Sequence, residues 1–199
     1  MLKVALTGGI ATGKSHVLKW LREHGIPCLD ADELAHGVTA AGTEATATIA
    51  ERFGSDMLDS SGAVDRTKLG RIVFADARAR RDLEAIVHPA VYRALIAGLR
   101  AFEHLGAPIA CADIPLLFES GGTSSFDRVI VTTCSQERQR IRLRERGLSD
   151  EEVEQRLAAQ MSAEEKAARG DFVISTDGTF AETEAQLSDV LQRLVASSG

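Results

Sequence analysis

Gly8-Gly9-Ile10-Ala11-Thr12-Gly13-Lys14-Ser15 matches the spacing G-x-x-x-x-G-K-[ST] at every fixed position. Glycines let a backbone curl tightly enough to aim consecutive N–H groups at phosphate oxygens. A helix that follows adds the positive end of its dipole. The lysine can reach the β- and γ-phosphates of a nucleotide, and the hydroxyl of Ser15 is a ligand for Mg²⁺. The surroundings agree with this chemistry. Lys3–Thr7 is a short run rich in β-formers, and Lys14–His24 places Val17, Leu18 and Leu21 on one stripe before Gly25. The stretch is therefore read as strand, phosphate loop and helix.

Working outward, the same alternation repeats. Pro27–Leu29, Ile109–Ile114, Arg128–Thr133 and Phe172–Ser175 read as further strands. Helical patterns cover about Glu33–Phe53, broken near Gly37 and Gly42, and Asp65–Leu105 in pieces, with Asp76 and His88-Pro89 as punctuation. Ser135–Arg146, Asp150–Met161, Ser162–Ala168 and Ala181–Val195 complete the helices. Strands separated by helices mean an α/β fold with a parallel sheet between helical layers. Ligands of such sheets bind beyond the carboxyl ends of the strands. That rim carries Gly8, Asp30, Asp32, Asp113, Pro115 and Ser135.

The 199 residues suit one P-loop domain over 1–199, and 44% apolar with 26% charged residues is the balance of an ordinary globular protein. A net charge of −6 argues against nucleic acid as a partner. No signal-peptide pattern opens the chain, and no run of apolar residues reaches the length of a membrane span, so a cytoplasmic protein is expected. Cys28, Cys111 and Cys134 sit in apolar runs and read as buried, reduced thiols.

Within the class of phosphate-loop proteins, the sequence contains no asparagine, so a guanine-selective Asn-Lys-x-Asp motif is absent. A small-molecule kinase fits the length best. Such an enzyme needs cations for the charge that develops on the transferred group. Arg138, Arg140, Arg142, Arg144 and Arg146 supply them, with Arg138, Arg142 and Arg146 on one helical face. Ser149 and Glu152 stand at capping-box spacing, which predicts a helical hairpin and suggests a lid. A solvated basic face is the other reading of the cluster. Asp32, just past the second strand, can position or deprotonate an acceptor hydroxyl, or cap the helix beginning at Glu33. Asp113 ends an apolar run and is a candidate for organising a metal.

These elements together resemble the dephospho-CoA kinase family. The resemblance is carried by Leu6–Ile10 running into Gly13-Lys14-Ser15, by Leu29-Asp30-Ala31-Asp32, and by His88-Pro89. It continues through Ile114-Pro115-Leu116-Leu117-Phe118-Glu119, Arg142…Arg146, Arg156…Ala159-Gln160 and Asp171–Ile174. It implies a three-layer P-loop kinase fold with a five-stranded parallel sheet, a helical substrate-binding region at about 65–105 and a lid at about 135–170. It also implies transfer of the ATP γ-phosphoryl group to the ribose 3′-hydroxyl of dephospho-CoA, with Mg²⁺. Loop and resemblance assign ATP contacts to Gly9, Ile10, Ala11, Thr12, Gly13, Lys14, Ser15 and His16. Lys14, Asp32, Arg142 and Arg146 take catalytic roles. Thr7, Asp32, Arg66, His88, Pro115, Leu116 and Glu119 lie on the acceptor side. Ser15 holds the metal, with Asp32 and Asp113 as further candidates.

Three features depart from the family. Thr176 stands where an asparagine is frequent, Thr12 where a serine is usual, and His16 where threonine is usual. The expected protein is a monomer acting on small molecules. A kinase for a nucleoside monophosphate or sugar acid, or a module that hydrolyses ATP slowly, are the alternatives.

Overall fold

The first strand organises everything around it. In the computed structural model, which describes residues 1–197, β1 (Leu2–Gly8) is the middle strand of five. Around it stand β2 (Cys28–Asp30), β3 (Ile109–Asp113), β4 (Arg128–Thr133) and β5 (Phe172–Ser175), in the order β2-β3-β1-β4-β5. β1 runs parallel to β3, with Leu2 opposite Ile109, and parallel to β4, with Val4 opposite Arg128.

Alternation along β1 builds two cores. Val4 and Leu6 face a layer formed by α1 (Lys14–Glu23) and α9 (Phe180–Ser197), where they pack with Trp20, Leu21, Leu187 and Leu194. Ala5 faces the other way, with Val129, Val131 and Leu117. That second layer includes Ala167 of α8 (Ala163–Ala167). α6 (Gln136–Glu145) and α7 (Asp150–Ala158) meet through Leu143 and Val153, which pack with Ala11. Cys111 and Cys134 are buried and all three thiols are free. The Cys28–Cys111 hydrogen bond draws the Cys28 thiol down, and the same contact together with burial pushes Cys111 up.

The chain divides into two compact units: Met1–Leu29 with the chain from Ala101 onward, and Asp30–Arg100. The second is helical, with α2 (Ala31–Val38), α3 (Glu44–Phe53), α4 (Arg66–Ala75) and α5 (Ala77–His104). Ile49, Met57, Val64 and Leu69 form its own core.

Asp30 closes β2 and caps α2. The break expected near Gly37 and Gly42 falls between α2, which ends at Val38, and α3, which begins at Glu44. One local expectation changes. His88-Pro89 does not interrupt the chain: α5 runs 28 residues through Pro89. Pro89 has no N–H to donate, so one helical hydrogen bond is forgone there.

Candidate active site

Gly8 meets β4 so closely that a Cβ there would lie 2.2 Å from Thr132 Oγ1. Beyond it the loop takes two left-handed steps, at Ala11 (φ 59°) and Gly13 (φ 86°). Ala11 is the one non-glycine residue with positive φ among the described residues. Local strain of this kind costs on the order of 1 kcal/mol and persists only where the surroundings over-determine the backbone.

Here they do. Every carbonyl from Gly9 to Gly13 has a donor. Thr12 Oγ1 donates to Gly9 at 2.8 Å, and Gln139 Nε2 to Ile10 at 2.7 Å. Arg142 Nη1 donates to Ala11 at 3.0 Å, Thr176 Oγ1 to Thr12 at 2.9 Å, and the His16 N–H to Gly13 at 3.0 Å. The N–H groups of Ile10, Ala11, Gly13, Lys14 and Ser15 have no acceptor among the described residues.

The helix that follows is singular. α2, α4 and α5 are capped by Asp30, Asp65 and Asp76; α3 and α9 by Thr43 and Thr179; α6, α7 and α8 by Ser135, Ser149 and Ser162. The N-cap of α1 is Gly13, with no side-chain acceptor. An uncapped helix start beneath a loop of unused N–H groups is an anion site.

Lys14 is half-buried and Ser15 exposed, and neither side chain has a protein partner among the described residues. The hydroxyl of Thr12 is instead buried, sharing a 2.8 Å hydrogen bond with Thr132. The His16 ring turns toward α9, 4.6 Å from Phe180 and 3.5 Å from Glu184 Oε1.

The five arginines divide by role. Arg140 and Arg144 pair with Glu154 and Asp150 at 2.7 Å each, tying the α6–α7 hairpin together. Arg138 donates to the Asp177 carbonyl, while the Asp177 carboxylate accepts from the N–H and hydroxyl of Ser135. Arg142 is half-buried and donates to Ala11 O, Thr176 Oγ1 and Thr176 O. It is thus held against the loop by neutral groups. Arg146, the C-cap of α6, is exposed without a side-chain partner among the described residues. The expected capping box of Ser149 and Glu152 is formed.

On the β3 rim, Asp113 is 6% exposed. Thr7 is fully buried and donates to the Pro115 carbonyl at 3.3 Å, so it supports this rim from beneath. Lys166 is buried to 0%, yet its ammonium lies 2.9 Å from Glu119 and 2.7 Å from the Pro115 carbonyl. Burial pushes the Glu119 carboxyl up, but the hydrogen bond and charge of Lys166, with the Met161 N–H, leave it below its ordinary value. Leu116 between them is exposed. A cleft of about 250 Å³ opens beside Gly9 and Ile10, lined by Gln139, Gln160 and Met161 among others. The Gln160 Oε1 atom is buried there without a hydrogen bond.

In the helical unit, the expected Asp32 cap belongs to Asp30, whose Oδ1 accepts from the N–H groups of Asp32 and Glu33. Asp32 is exposed in the first turn of α2, and its carboxylate has no partner among the described residues. Arg66 donates to Ala35 O and Thr39 Oγ1 and meets His36 Nε2, each at 2.9 Å. His88 is exposed on α5.

The donor set fits Mg²⁺. No group of three His, Cys, Asp or Glu residues that could hold a metal occurs among the described residues. Mg²⁺ is ordinarily held by one or two protein oxygens plus substrate phosphates rather than by a protein cage. The unpartnered Ser15 hydroxyl beside the loop is such an oxygen.

Gln139, Thr176 and Lys166 carry much of this geometry and were not legible as site residues. Their partners lie 129, 164 and 51 positions away, so no local spacing reveals them. Only Thr176, as a departure from the family pattern, offered a signal.

Residues 2–182 match the dephospho-CoA kinase family. A dephospho-CoA kinase of Geobacillus kaustophilus is 45% identical over 193 residues, covering 96% of each chain. The crystal structure of TT1252 from Thermus thermophilus superposes with a TM-score of 0.81 at 36% identity, over 97% of each chain. A dephospho-CoA kinase from Campylobacter jejuni superposes at 0.75 with 28% identity, over 99% of this chain and 98% of that one.

Proposed function

The chain belongs to the dephospho-CoA kinase family, and we propose that it transfers the γ-phosphoryl group of ATP to the ribose 3′-hydroxyl of dephospho-CoA, the last step of coenzyme A synthesis. The observation that carries the reading is the uncapped start of α1 beneath a loop whose carbonyls are all occupied and whose N–H groups are not.

Phosphoryl transfer asks a protein for position and charge more than for covalent chemistry. The loop N–H groups and Lys14 hold the phosphates, with contacts from Gly9 through His16. Arg142 and Arg146 add positive charge that no carboxylate among the described residues neutralises. Arg146 is the more available of the two, because Arg142 already holds the loop and Thr176. Asp32 accepts the hydrogen bond of the acceptor hydroxyl and draws it toward the phosphorus. Thr7, Arg66, His88, Pro115, Leu116 and Glu119 form or support the acceptor side, with 65–105 as the substrate-binding region and 135–170 as the lid. Ser15, with Asp113 and Asp32, would hold Mg²⁺. When bound, the ion neutralises charge on the β- and γ-phosphates. The enzyme works as a cytoplasmic monomer on small molecules; no helix among the described residues is long and apolar enough to cross a membrane.

The test is ADP production from MgATP with and without dephospho-CoA, the thiol product being weighed by mass spectrometry. Acceptor-dependent ADP with a gain of one phosphate is expected. ADP release indifferent to dephospho-CoA, with no mass gain, would overturn the assignment. Asp32→Asn should lower turnover by about 10²-fold or more, the scale of a lost general base, with ADP affinity unchanged.

A further inference from the structure

A peptide unit is planar and trans, so its C=O and N–H point in opposite directions. Holding the carbonyl of one loop residue outward therefore aims the N–H of the next residue inward. In this loop the Ile10 carbonyl is held by Gln139, the Ala11 carbonyl by Arg142 and the Thr12 carbonyl by Thr176. The N–H groups thereby aimed are those of Ala11, Thr12 and Gly13. The Thr12 N–H also makes a long 3.4 Å bond to Gly9 O, which leaves those of Ala11 and Gly13 fully available. Their carbonyl partners in the shared peptide units are the ones held by Gln139 and Thr176.

Both side chains are buried against the loop. Gln139 is 4% exposed and its amide nitrogen would lie 3.0 Å from a Cβ at Gly9, so it lies flat against the loop. Thr176 is 5% exposed; its hydroxyl donates to Thr12 O at 2.9 Å, with Thr133 O farther off at 3.3 Å, and accepts from Arg142 Nη1. It thereby also fixes the arginine that holds Ala11. Gln139 comes from α6 and Thr176 follows β5, so two segments distant in sequence pin the loop, one at Ile10 and the other at Thr12.

We propose that Gln139 and Thr176 are positioning residues for phosphoryl transfer, holding the Ala11 and Gly13 N–H groups on the phosphates of the nucleotide. The proposal rests on the kinase reading for its consequence in turnover, but nucleotide binding tests it independently. Thr176 takes this place through its hydroxyl, so serine should serve as well and valine should not.

The experiment is calorimetric titration of MgADP into the full-length protein and into Gln139→Leu, Thr176→Val and Thr176→Ser, with thermal midpoints measured alongside. Gln139→Leu and Thr176→Val should each weaken MgADP about tenfold, the scale of one lost hydrogen bond. Thr176→Ser should stay within about twofold of the parent. In the complete reaction, the KM for dephospho-CoA should move less than about twofold in all three. Wild-type affinity in both Gln139→Leu and Thr176→Val would overturn the proposal. So would a Thr176→Val loss that serine fails to restore, or losses for nucleotide and acceptor in equal measure with a lowered thermal midpoint. A parent protein that binds MgADP yet never phosphorylates dephospho-CoA would overturn the kinase reading and leave the positioning test standing.

Discussion

At position 8 a single hydrogen separates the phosphate loop from β4. An alanine Cβ would press on Thr132 Oγ1 at 2.2 Å and on the Thr132 carbonyl at 2.7 Å, and a backbone atom cannot swing aside. Gly8→Ala should therefore lower unfolding free energy by about 2 kcal/mol or more, the range of overpacked sites, and weaken nucleotide binding with it. Urea unfolding checks the first expectation; an unchanged midpoint would mean that β4 yields more easily than its buried hydrogen bonds imply. Residues of this kind are legible in sequence because glycine, lysine and serine act through local backbone geometry at fixed spacing. Thr176 acts through a hydroxyl that meets a carbonyl 164 positions earlier, and nothing in its own neighbourhood encodes that meeting. The arginines fall between these cases. Their helical spacing placed them on faces, but only the fold separated Arg140 and Arg144, which bind acidic residues of α7, from Arg142, which binds the loop.

Elements show the same division. The start of α7 was readable from Ser149 and Glu152, because the cap is a contact within three residues. α5 was misread for a physical reason: proline in a helix interior usually stops it, at a cost of about 3 kcal/mol. Here Ala90, Leu95 and Leu99 beyond the proline are buried, and their packing outweighs the one missing hydrogen bond. Pro89→Ala should return that bond and raise stability by about 1–3 kcal/mol, seen as a higher thermal midpoint. If the His88-Pro89 pair shapes the acceptor side, the same variant should raise the KM for dephospho-CoA. A more stable enzyme with an unaltered KM would assign the pair to folding alone.

For the whole molecule, the α/β class followed from alternating strand and helix patterns. The strand order β2-β3-β1-β4-β5 did not, because periodicity says which face a residue takes and not which strand is its neighbour. Nor did the buried pair that links α8 to the segment after β3. Lys166 is wholly enclosed, whereas the Glu119 side chain keeps 25% of its exposure. Water can rescue the carboxylate but not the ammonium. Glu119→Gln should therefore destabilise the fold by about 3 kcal/mol or more, and Lys166→Met by distinctly less. Equal losses would contradict this asymmetry. Because the Glu119 carboxyl is lowered in the fold, its contribution is complete above the unfolded value of about 4.3 and is lost as pH falls through the folded value. The stability gap between the parent and Glu119→Gln should accordingly narrow from pH 7 toward pH 3 in denaturant titrations. The topology also sets a timetable for biosynthesis. β1 leaves the ribosome ahead of β3 and β4, and Ile109 and Arg128, its opposite numbers, emerge about a hundred residues later, an interval of roughly 5–20 s at ordinary elongation rates. Asp30–Arg100 carries its own core and can condense during that wait. The nucleotide loop, complete in sequence at Ser15, gains its last brace only when Thr176 is translated. A chain interrupted before that point carries the whole phosphate motif without the scaffold that aims it.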